Sequence, residues 1–542
     1  MGSSDVIAMV LVAAKALTAM VGGIFVVSGL DDCFIDLCYA ARALYRRLCI
    51  LPRFSPLSED QLRARAEQWV AVMIPAWDES AVIRSMLANT RRALSYSQYV
   101  IFVGIYQNDP ATAREVELLP PEGPRVVRVT VPHDGPTNKA DCLNWIYQGI
   151  QRHERDHGIE FQVYVMQDCE DVIHPLCYRL FNYLMPRHDM VQLPVLSLDR
   201  KWHEFTGGHY LDEFAQLHYK DLVVREMINR SLPAAGVGVA FSRRALAAAA
   251  MGNHNEVFSV DSLTEDYDFG FRLKRLGMRQ IFVRFAVERD VPFRDPLTRQ
   301  TRSRKLREFV GVREFFPSTL RTAVRQKSRW VIGIAFQGWA HLGWAGDWRT
   351  KYMLYRDRKA IVTNLATILG YLIVAIVSTI WTVQWLTPES YRFPPLVERG
   401  STLWFLMLAT LALLVHRLIL RVYCVYRLYG PLQALLSAPR MLWGNVVNFG
   451  ATVRAIRIYL RYLRTGKPIT WDKTGHSFPA MEEIPTFRQR LGDVLLHRGF
   501  ISLAQLNAAL ELQRQRSSRL GELLIEMGAL NKECLEIALQ VE

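Results

Sequence analysis

The sequence predicts an α/β domain on a mainly parallel sheet, set between membrane-spanning helices and followed by a small all-α carboxyl-terminal domain. Three observations predict it. Across residues 69–300, short apolar runs ending in carboxylates alternate with helical patterns. Three long and nearly uncharged apolar stretches flank that segment. The end of the chain repeats itself at an offset of 29 residues.

A chain of 542 residues has room for roughly two to four such units. Half its residues are hydrophobic, yet mean hydropathy is only +0.04, an average over unlike parts. The apolar and aromatic content excludes disorder, and the composition excludes a collagen-like chain. Eight Cys without a CxxC exclude a disulfide-rich secreted domain, so reduced thiols are expected.

In chain order, the first apolar stretch is 6–30, broken only by Lys15. It is long enough to cross a hydrocarbon core of about 30 Å. Asp5, where a signal peptide carries basic residues, argues against a cleaved leader. The second stretch, 360–386, has no charge, and the third, 401–420, only His416 and Arg417, which can snorkel. Arg42, Arg46, Arg47 and Arg53 follow the first, and Arg356, Arg358 and Lys359 precede the second. Residues 417–467 hold nine basic residues and no acidic one, whereas the loop 387–400 balances two Arg with two Glu. The positive-inside rule then puts the amino terminus outside, with three crossings and the remainder cytoplasmic. The net charge of +14 reads as topology and contact with the lipid bilayer, not with nucleic acid. Residues 430–462 and 309–339 mix apolar residues with Arg, and Arg454, Arg457 and Arg461 share one helix face. Both segments are expected to lie in the interface as amphipathic helices.

The α/β segment offers three strands. Residues 69–74 run into Asp78 and Glu79, 99–105 into Asp109, and 161–166 into Asp168, Glu170 and Asp171. In open α/β sheets, ligands bind at the carboxyl ends of the strands. One acidic strand end is usually a solvated cap, but three on one edge point to a site. Asp168 and Glu170, two apart across a turn, suit one Mg²⁺ or Mn²⁺ bridging a diphosphate. Lys139 either meets a phosphate or is a solvated surface lysine. Thr264, Glu265 and Asp266 open a helix over 267–276. Thr264 is an N-cap candidate with acids favoured by the dipole, and a carboxylate there is equally placed to act as a base. Gln326, Arg329 and Trp330 share a helix face beside the membrane; anchoring in the bilayer accounts for Trp and Arg but not for Gln.

In this order and spacing the motifs, over residues 65–475, resemble processive family 2 membrane glycosyltransferases, the group of cellulose, hyaluronan and poly-N-acetylglucosamine synthases. The resemblance implies a GT-A-like nucleotide-diphospho-sugar transferase fold. It implies inverting transfer from a UDP-sugar, by its pattern a UDP-N-acetylhexosamine, to a growing exopolysaccharide. On it, Glu79 and Asp109 would contact uridine and ribose, and Lys139 the uracil or phosphates. Asp168 and Glu170 would hold the metal, although Glu170 stands where the family has Asp and Asp171 is the alternative. Asp266, beside Glu265 and Thr264, would be the base. Gln326 and Arg329 would meet the diphosphate and Trp330 the acceptor sugar. Trp471 and Thr474 would touch the nucleotide from a gating segment.

In the repeat, Arg490, Leu491, Gly492 and Gln513 are matched by Arg519, Leu520, Gly521 and Glu542. By itself this predicts two helical hairpins packed through Leu, an interaction module. It also resembles the MshEN-type domain of secretion and pilus ATPases, which implies cyclic di-GMP bound by Arg490, Leu491, Gly492, Gln513, Arg519, Leu520 and Gly521. A glycan synthase with such a tail resembles the bacteriophage adsorption protein B (NfrB-type) family. The expected organisation is a membrane helix and interfacial helix over 1–64, a transferase domain over 65–300, and interface and membrane helices with the gating segment over 301–475. A linker over 476–489 then leads to a cyclic di-GMP domain over 490–542. Cyclic di-GMP is the expected activator, with an outer-membrane or periplasmic export partner and a diguanylate cyclase as further partners. Two alternatives are transfer of a single sugar to a lipid acceptor and an inactive scaffold or phage-receptor assembly factor.

Overall fold

The computed structural model describes residues 3–121, 123–294, 301–387, 395–467, 469, 475–480, 491–497, 499–516 and 518–539. Seven strands form the central sheet: β1 (Val70–Ala76), β2 (Tyr99–Tyr106), β3 (Val126–Val131), β4 (Val163–Met166), β5 (Met190–Gln192), β6 (Val239–Ser242) and β7 (Gln280–Phe282). Their order is β3-β2-β1-β4-β6-β5-β7. Every residue of β1, β2 and β4 is buried, as strands covered on both faces require. Alternate side chains go to opposite faces: Val72, Ile74 and Val103 join one apolar core, and Ala71, Met73 and Phe102 the other. β1 is parallel to β2 and β4, and β2 to β3. β6 runs antiparallel to β4 and β5, so the sheet is mixed; the parallel half carries the acidic strand ends.

The expected interface helix over 309–339 is replaced by two different structures. Val312–Glu314 is a strand between Val172–Ile173 and Val195–Ser197. Burial of Val310 and Val312 in the α/β core overrides the aromatic-and-arginine pattern there. Leu320–Trp330 is α-helical and continues as a π-helix, Val331–Gln337, which leads into a short α-helix, Gly338–Leu342.

Three helices among the described residues are long and apolar enough to cross a membrane: Ser3–Tyr45, Trp348–Leu386 and Thr402–Tyr429. Outward-facing Trp381, Trp385 and Phe405 give them the surface that lipid would cover. They outrun the apolar stretches because their polar extensions tie to each other and to the α/β domain. Asp31 and Asp32 of the first pair with Arg356 and Lys359 of the second, and Asp31 Oδ1 accepts from Tyr352 Oη at 2.6 Å. Asp36 lies 2.9 Å from His416 Nε2 of the third and pairs with Lys220.

Pro431–Thr465, the other expected interface helix, is not among the candidate spans. Much of its polar face meets protein. Arg440 is 1% exposed and grips Asp212 with two bonds of 3.0 and 2.7 Å. Asn448 accepts from Lys327, and Arg454 donates to Ser328 at 2.6 Å, while Arg457 and Arg461 face outward.

The tail is all-α, with helices Leu491–His497, Leu503–Gln515, Leu520–Glu526 and Lys532–Leu539. Both repeats feed one core through Val494, Leu495, Leu506, Leu524 and Ala538. The packing repeats with the sequence: a Cβ on Gly492 would meet Leu506 at 2.8 Å, and one on Gly521 would meet Leu535 at 2.8 Å.

Candidate active site

The carboxyl ends of β1, β2 and β4 converge. Asp109, after β2, caps helix Pro110–Glu117 through Thr112 N–H and accepts from Asp78 N–H at 2.6 Å. It holds the β1 loop from behind and does not line the cavity. Glu79, whose N–H donates to Thr112 Oγ1 at 2.9 Å, does line it.

After β4 the chain turns sharply. Asp171 is fully buried, and its Oδ2 accepts from Asp168 N–H at 2.9 Å. Asp168 and Glu170 instead face the cavity. Burial holds Glu170 up at about 7 and Asp171 well above the usual carboxylate range. Lys139 begins helix Lys139–His157, which Asn138 caps, and its Nζ lies 2.6 Å from Asp168 Oδ1. Asp168, Glu265 and Asp266 hold the lysine charged against the cost of its burial.

Thr264 occupies the N-cap position of helix Glu265–Arg275 without making a side-chain cap bond. Its Oγ1 is buried without a hydrogen-bond partner because the π-helix presses on it: a Cβ on Gly333 would come within 2.3 Å. π-helical turns often mark functional sites, and this one also clamps the loop before Thr264. Gln337 accepts from Leu263 N–H at 2.9 Å and donates to Asp261 O at 3.0 Å. Burial and the neighbouring Asp266 push Glu265 up to about 8, whereas Lys139 limits the burial-driven rise of Asp266 to about 6. Burial thus raises both carboxyls, and Lys139 keeps Asp266 the more readily ionised of the two.

A cavity of about 570 Å³ unites these groups. Glu79, Lys139, Asp168, Glu170, Thr264, Glu265 and Asp266 line it together with Gln326, Arg329 and Trp330. Trp330 stands 6.0 Å from the rings of both Tyr210 and Phe214, and Gln326 Oε1 is buried without a hydrogen-bond partner. At the far end the wall includes Ile35 and Met353 of two membrane helices.

Three further groups in this wall were not singled out by the sequence. Glu314 comes from the unexpected strand, and burial raises it well above its ordinary value. Arg225 is bidentate to Asp357 at 2.6 and 2.8 Å, and Tyr267 donates to the same carboxylate at 2.6 Å, tying the Asp266 helix to the second membrane helix. His476 pairs with Glu79 at 2.8 Å and Glu170 at 3.2 Å; its position just beyond the gating segment was the available hint. Trp471, Thr474 and Arg490 lie outside the described residues.

Among the described residues, no group of three or more His, Cys, Asp or Glu is placed to hold a metal ion alone. Asp168 and Glu170 nonetheless fit a hard cation whose remaining ligands are diphosphate and water. Glu170 Oε2 is buried, accepts no hydrogen bond and has His476 Nδ1 3.2 Å away, so a cation there would take the imidazole's place.

The chain matches the description "Glycosyl transferase family group 2" over residues 163–415. With this fold and cavity, it is a glycosyltransferase with a GT-A-like α/β domain. It is 40% identical over 537 residues to bacteriophage adsorption protein B of Escherichia coli strain K12, covering 99% of this chain and 71% of that one. Bacteriophage N4 adsorption protein B of Escherichia coli O157:H7 matches to the same extent. The chain belongs to the bacteriophage adsorption protein B family. Among solved structures, a mannosyltransferase from Pyrobaculum calidifontis in complex with GDP-Man and Mn²⁺ is 15% identical, covers 80% of this chain and 99% of its own, and has a TM-score of 0.42. A glucosyl-3-phosphoglycerate synthase from Mycobacterium tuberculosis is 17% identical over 42% of this chain and 75% of its own, with a TM-score of 0.26.

Proposed function

We propose that the chain is a processive, inverting polysaccharide synthase of the bacterial inner membrane, using a UDP-sugar, by its motifs a UDP-N-acetylhexosamine, and activated by cyclic di-GMP. The observation that carries this reading is the single cavity joining acidic strand ends, Asp266 and the Gln326–Arg329–Trp330 face. Glu79 and Lys139 would hold the nucleotide, with Asp109 fixing the Glu79 loop. Asp168 and Glu170 would hold Mg²⁺ or Mn²⁺, which when bound neutralises charge on the departing diphosphate. Gln326 and Arg329 supply donors to the same diphosphate, and Trp330 offers its ring to the acceptor sugar. Asp266 accepts the proton of the acceptor hydroxyl as that oxygen bonds to the anomeric carbon and the bond to the diphosphate breaks. Trp471 and Thr474 complete the nucleotide site in the family's pattern.

The two-fold related tail supports the cyclic di-GMP reading, with Arg490, Leu491, Gly492 and Gln513 facing one half of the effector and Arg519, Leu520 and Gly521 the other. The basic flanks support a cytoplasmic active site and tail. The nascent polysaccharide would leave toward an export partner, and a diguanylate cyclase would supply the effector.

Membranes carrying the chain, given radiolabelled UDP-sugars with and without cyclic di-GMP, test the reading. Labelled polymer that rises with the effector is expected, and no incorporation from any donor overturns it. Equal rates in wild type and Arg490→Ala, with and without effector, overturn the activation. Transfer of one sugar to a lipid is a second reading, favoured by Ile35 and Met353 in the cavity wall; its product would be a labelled glycolipid.

A further inference from the structure

Two rungs hold the helix Glu265–Arg275 against the second membrane helix. In the first, Tyr267 Oη donates to Asp357 Oδ2 at 2.6 Å, and Arg225 grips the same carboxylate with bonds of 2.6 and 2.8 Å. In the second, Lys274 Nζ donates to Thr350 Oγ1 at 2.6 Å and to Asn229 Oδ1 at 2.7 Å. Each rung joins the same three helices, Leu222–Asn229, Glu265–Arg275 and Trp348–Leu386. From the first rung to the second the chain number rises from Tyr267 to Lys274 but falls from Asp357 to Thr350, so the two long partners run antiparallel in a fixed register. A slip of one residue would shift Tyr267 by about 1.5 Å along the axis and turn it by about 100°.

The first rung lies at the chemistry. Tyr267 follows Asp266, whose Oδ1 accepts from Tyr267 N–H at 2.8 Å, and Arg225, Tyr267 and Asp357 line the cavity beside it. The second rung lies about 10 Å farther along the helix. Packing does not require the Tyr267 hydroxyl. The side chain is buried in an apolar cluster with Phe271, Leu342 and Leu354, which a Phe would fill equally. Asp357 keeps its Arg225 partner without that hydroxyl. What the hydroxyl adds is direction, since a bond to a carboxylate is short and strong, and it fixes the backbone beside Asp266.

We propose that Tyr267 is a positioning residue for transfer: moored to Asp357 of the membrane helix, it holds the Asp266 carboxylate where that group meets the acceptor hydroxyl. The proposal deepens the transferase reading and rests on Asp266 as the base. It gives the end of a membrane helix a part in the reaction besides anchorage. The same helix carries Met353 and Arg356 in the cavity wall, and Arg356 pairs with Asp31 of the first membrane helix. One element thus sets both the base and the part of the wall that faces the membrane. Misplacing a reacting group by about 1 Å costs up to about a hundredfold in rate, and this single bond controls a displacement of that size.

The test compares wild type with Tyr267→Phe and with Lys274→Met, which loosens the distant rung of the same joint. All are full chains in detergent with cyclic di-GMP present. Initial rates are read at saturating Mn²⁺ and donor, with the gluco, galacto and manno epimers of UDP-N-acetylhexosamine tried in turn. Calorimetry with Mn²⁺ and UDP gives nucleotide affinity, and thermal unfolding gives the folded fraction. Tyr267→Phe is expected to lower kcat about tenfold while nucleotide affinity stays within about twofold. Lys274→Met is expected to lower the unfolding temperature but to keep kcat within about twofold, because its rung lies away from Asp266. A Tyr267→Phe enzyme with wild-type kcat overturns the proposal. So does a fall in kcat matched by an equal loss of nucleotide affinity, which marks a disturbed site. Equal losses of kcat in the two variants overturn it as well, since both rungs would then act only as a clamp. A wild type that transfers from none of the three donors overturns the UDP-N-acetylhexosamine reading, and the positioning role with it.

Discussion

Glu170 and Asp171 are adjacent, yet one faces the cavity and the other is fully buried behind it, accepting Asp168 N–H at 2.9 Å. Glu170→Gln should therefore weaken Mn²⁺ binding about tenfold or more, about 1.4 kcal/mol. Asp171→Asn keeps an acceptor for Asp168 N–H and should leave that affinity within about twofold. Manganese titration of the two purified variants checks the contrast, and equal losses would place both carboxylates at the metal. Asp266 is set apart from Glu265 in the same way, by Lys139. As the base, Asp266 must be ionised, and burial lifts it to about 6. Transfer should then fall about tenfold per pH unit as the pH drops below about 6, because the acid form has no lone pair to take the proton. Asp266→Asn should lower kcat by about 10²- to 10⁴-fold, and a pH–rate profile of wild type locates the limb.

At the scale of elements, the π-helix and the loop that opens the helix at Glu265 meet in a close joint at the site. A Cβ on Gly333 would stand 2.3 Å from Thr264 Oγ1, closer than any packing permits. Gly333→Ala should cost about 1–3 kcal/mol in overpacking and lower kcat, because relief of the clash moves the residues next to Asp266. Thermal unfolding and initial rates on one preparation check both effects. Helix Pro431–Thr465 is docked differently, through Arg440 and Asp212, each only 1% exposed in its side chain. Arg440→Ala strands a buried carboxylate and should destabilise by about 3–5 kcal/mol, whereas replacing both partners by Met and Leu should recover most of that loss. Thermal stability in detergent distinguishes the single from the double variant. Sequence reasoning reads the amphipathicity of this helix as contact with headgroups. Asp212, Lys327 and Ser328, the groups that meet its polar face, come from distant parts of the chain, and no local pattern announces them.

At the scale of the whole molecule, the chain joins an enzyme, a membrane anchor and a two-fold repeat. If the tail binds cyclic di-GMP, Arg519→Ala should weaken calorimetrically measured binding about tenfold while basal transfer stays unchanged; unaltered affinity would remove Arg519 from that site. Much of this organisation is legible by inspection. Apolar length marks the three membrane helices, the 29-residue offset marks the tail, and the acids after β1, β2 and β4 mark one sheet edge. These are local or periodic properties, set by hydrophobic burial and by backbone pairing that any short window of residues reveals. Tertiary structure alone decided which acids face the cavity and which support it, as with Glu170 against Asp171 and Glu79 against Asp109. It also turned 312–314 from an expected helix into a strand, because two separate segments, 172–173 and 195–197, offered backbone partners. It brought His476 to Glu79, 397 residues away along the chain. Pairings of this kind are fixed by burial and charge in the assembled fold, and nothing in the spacing of the residues encodes them.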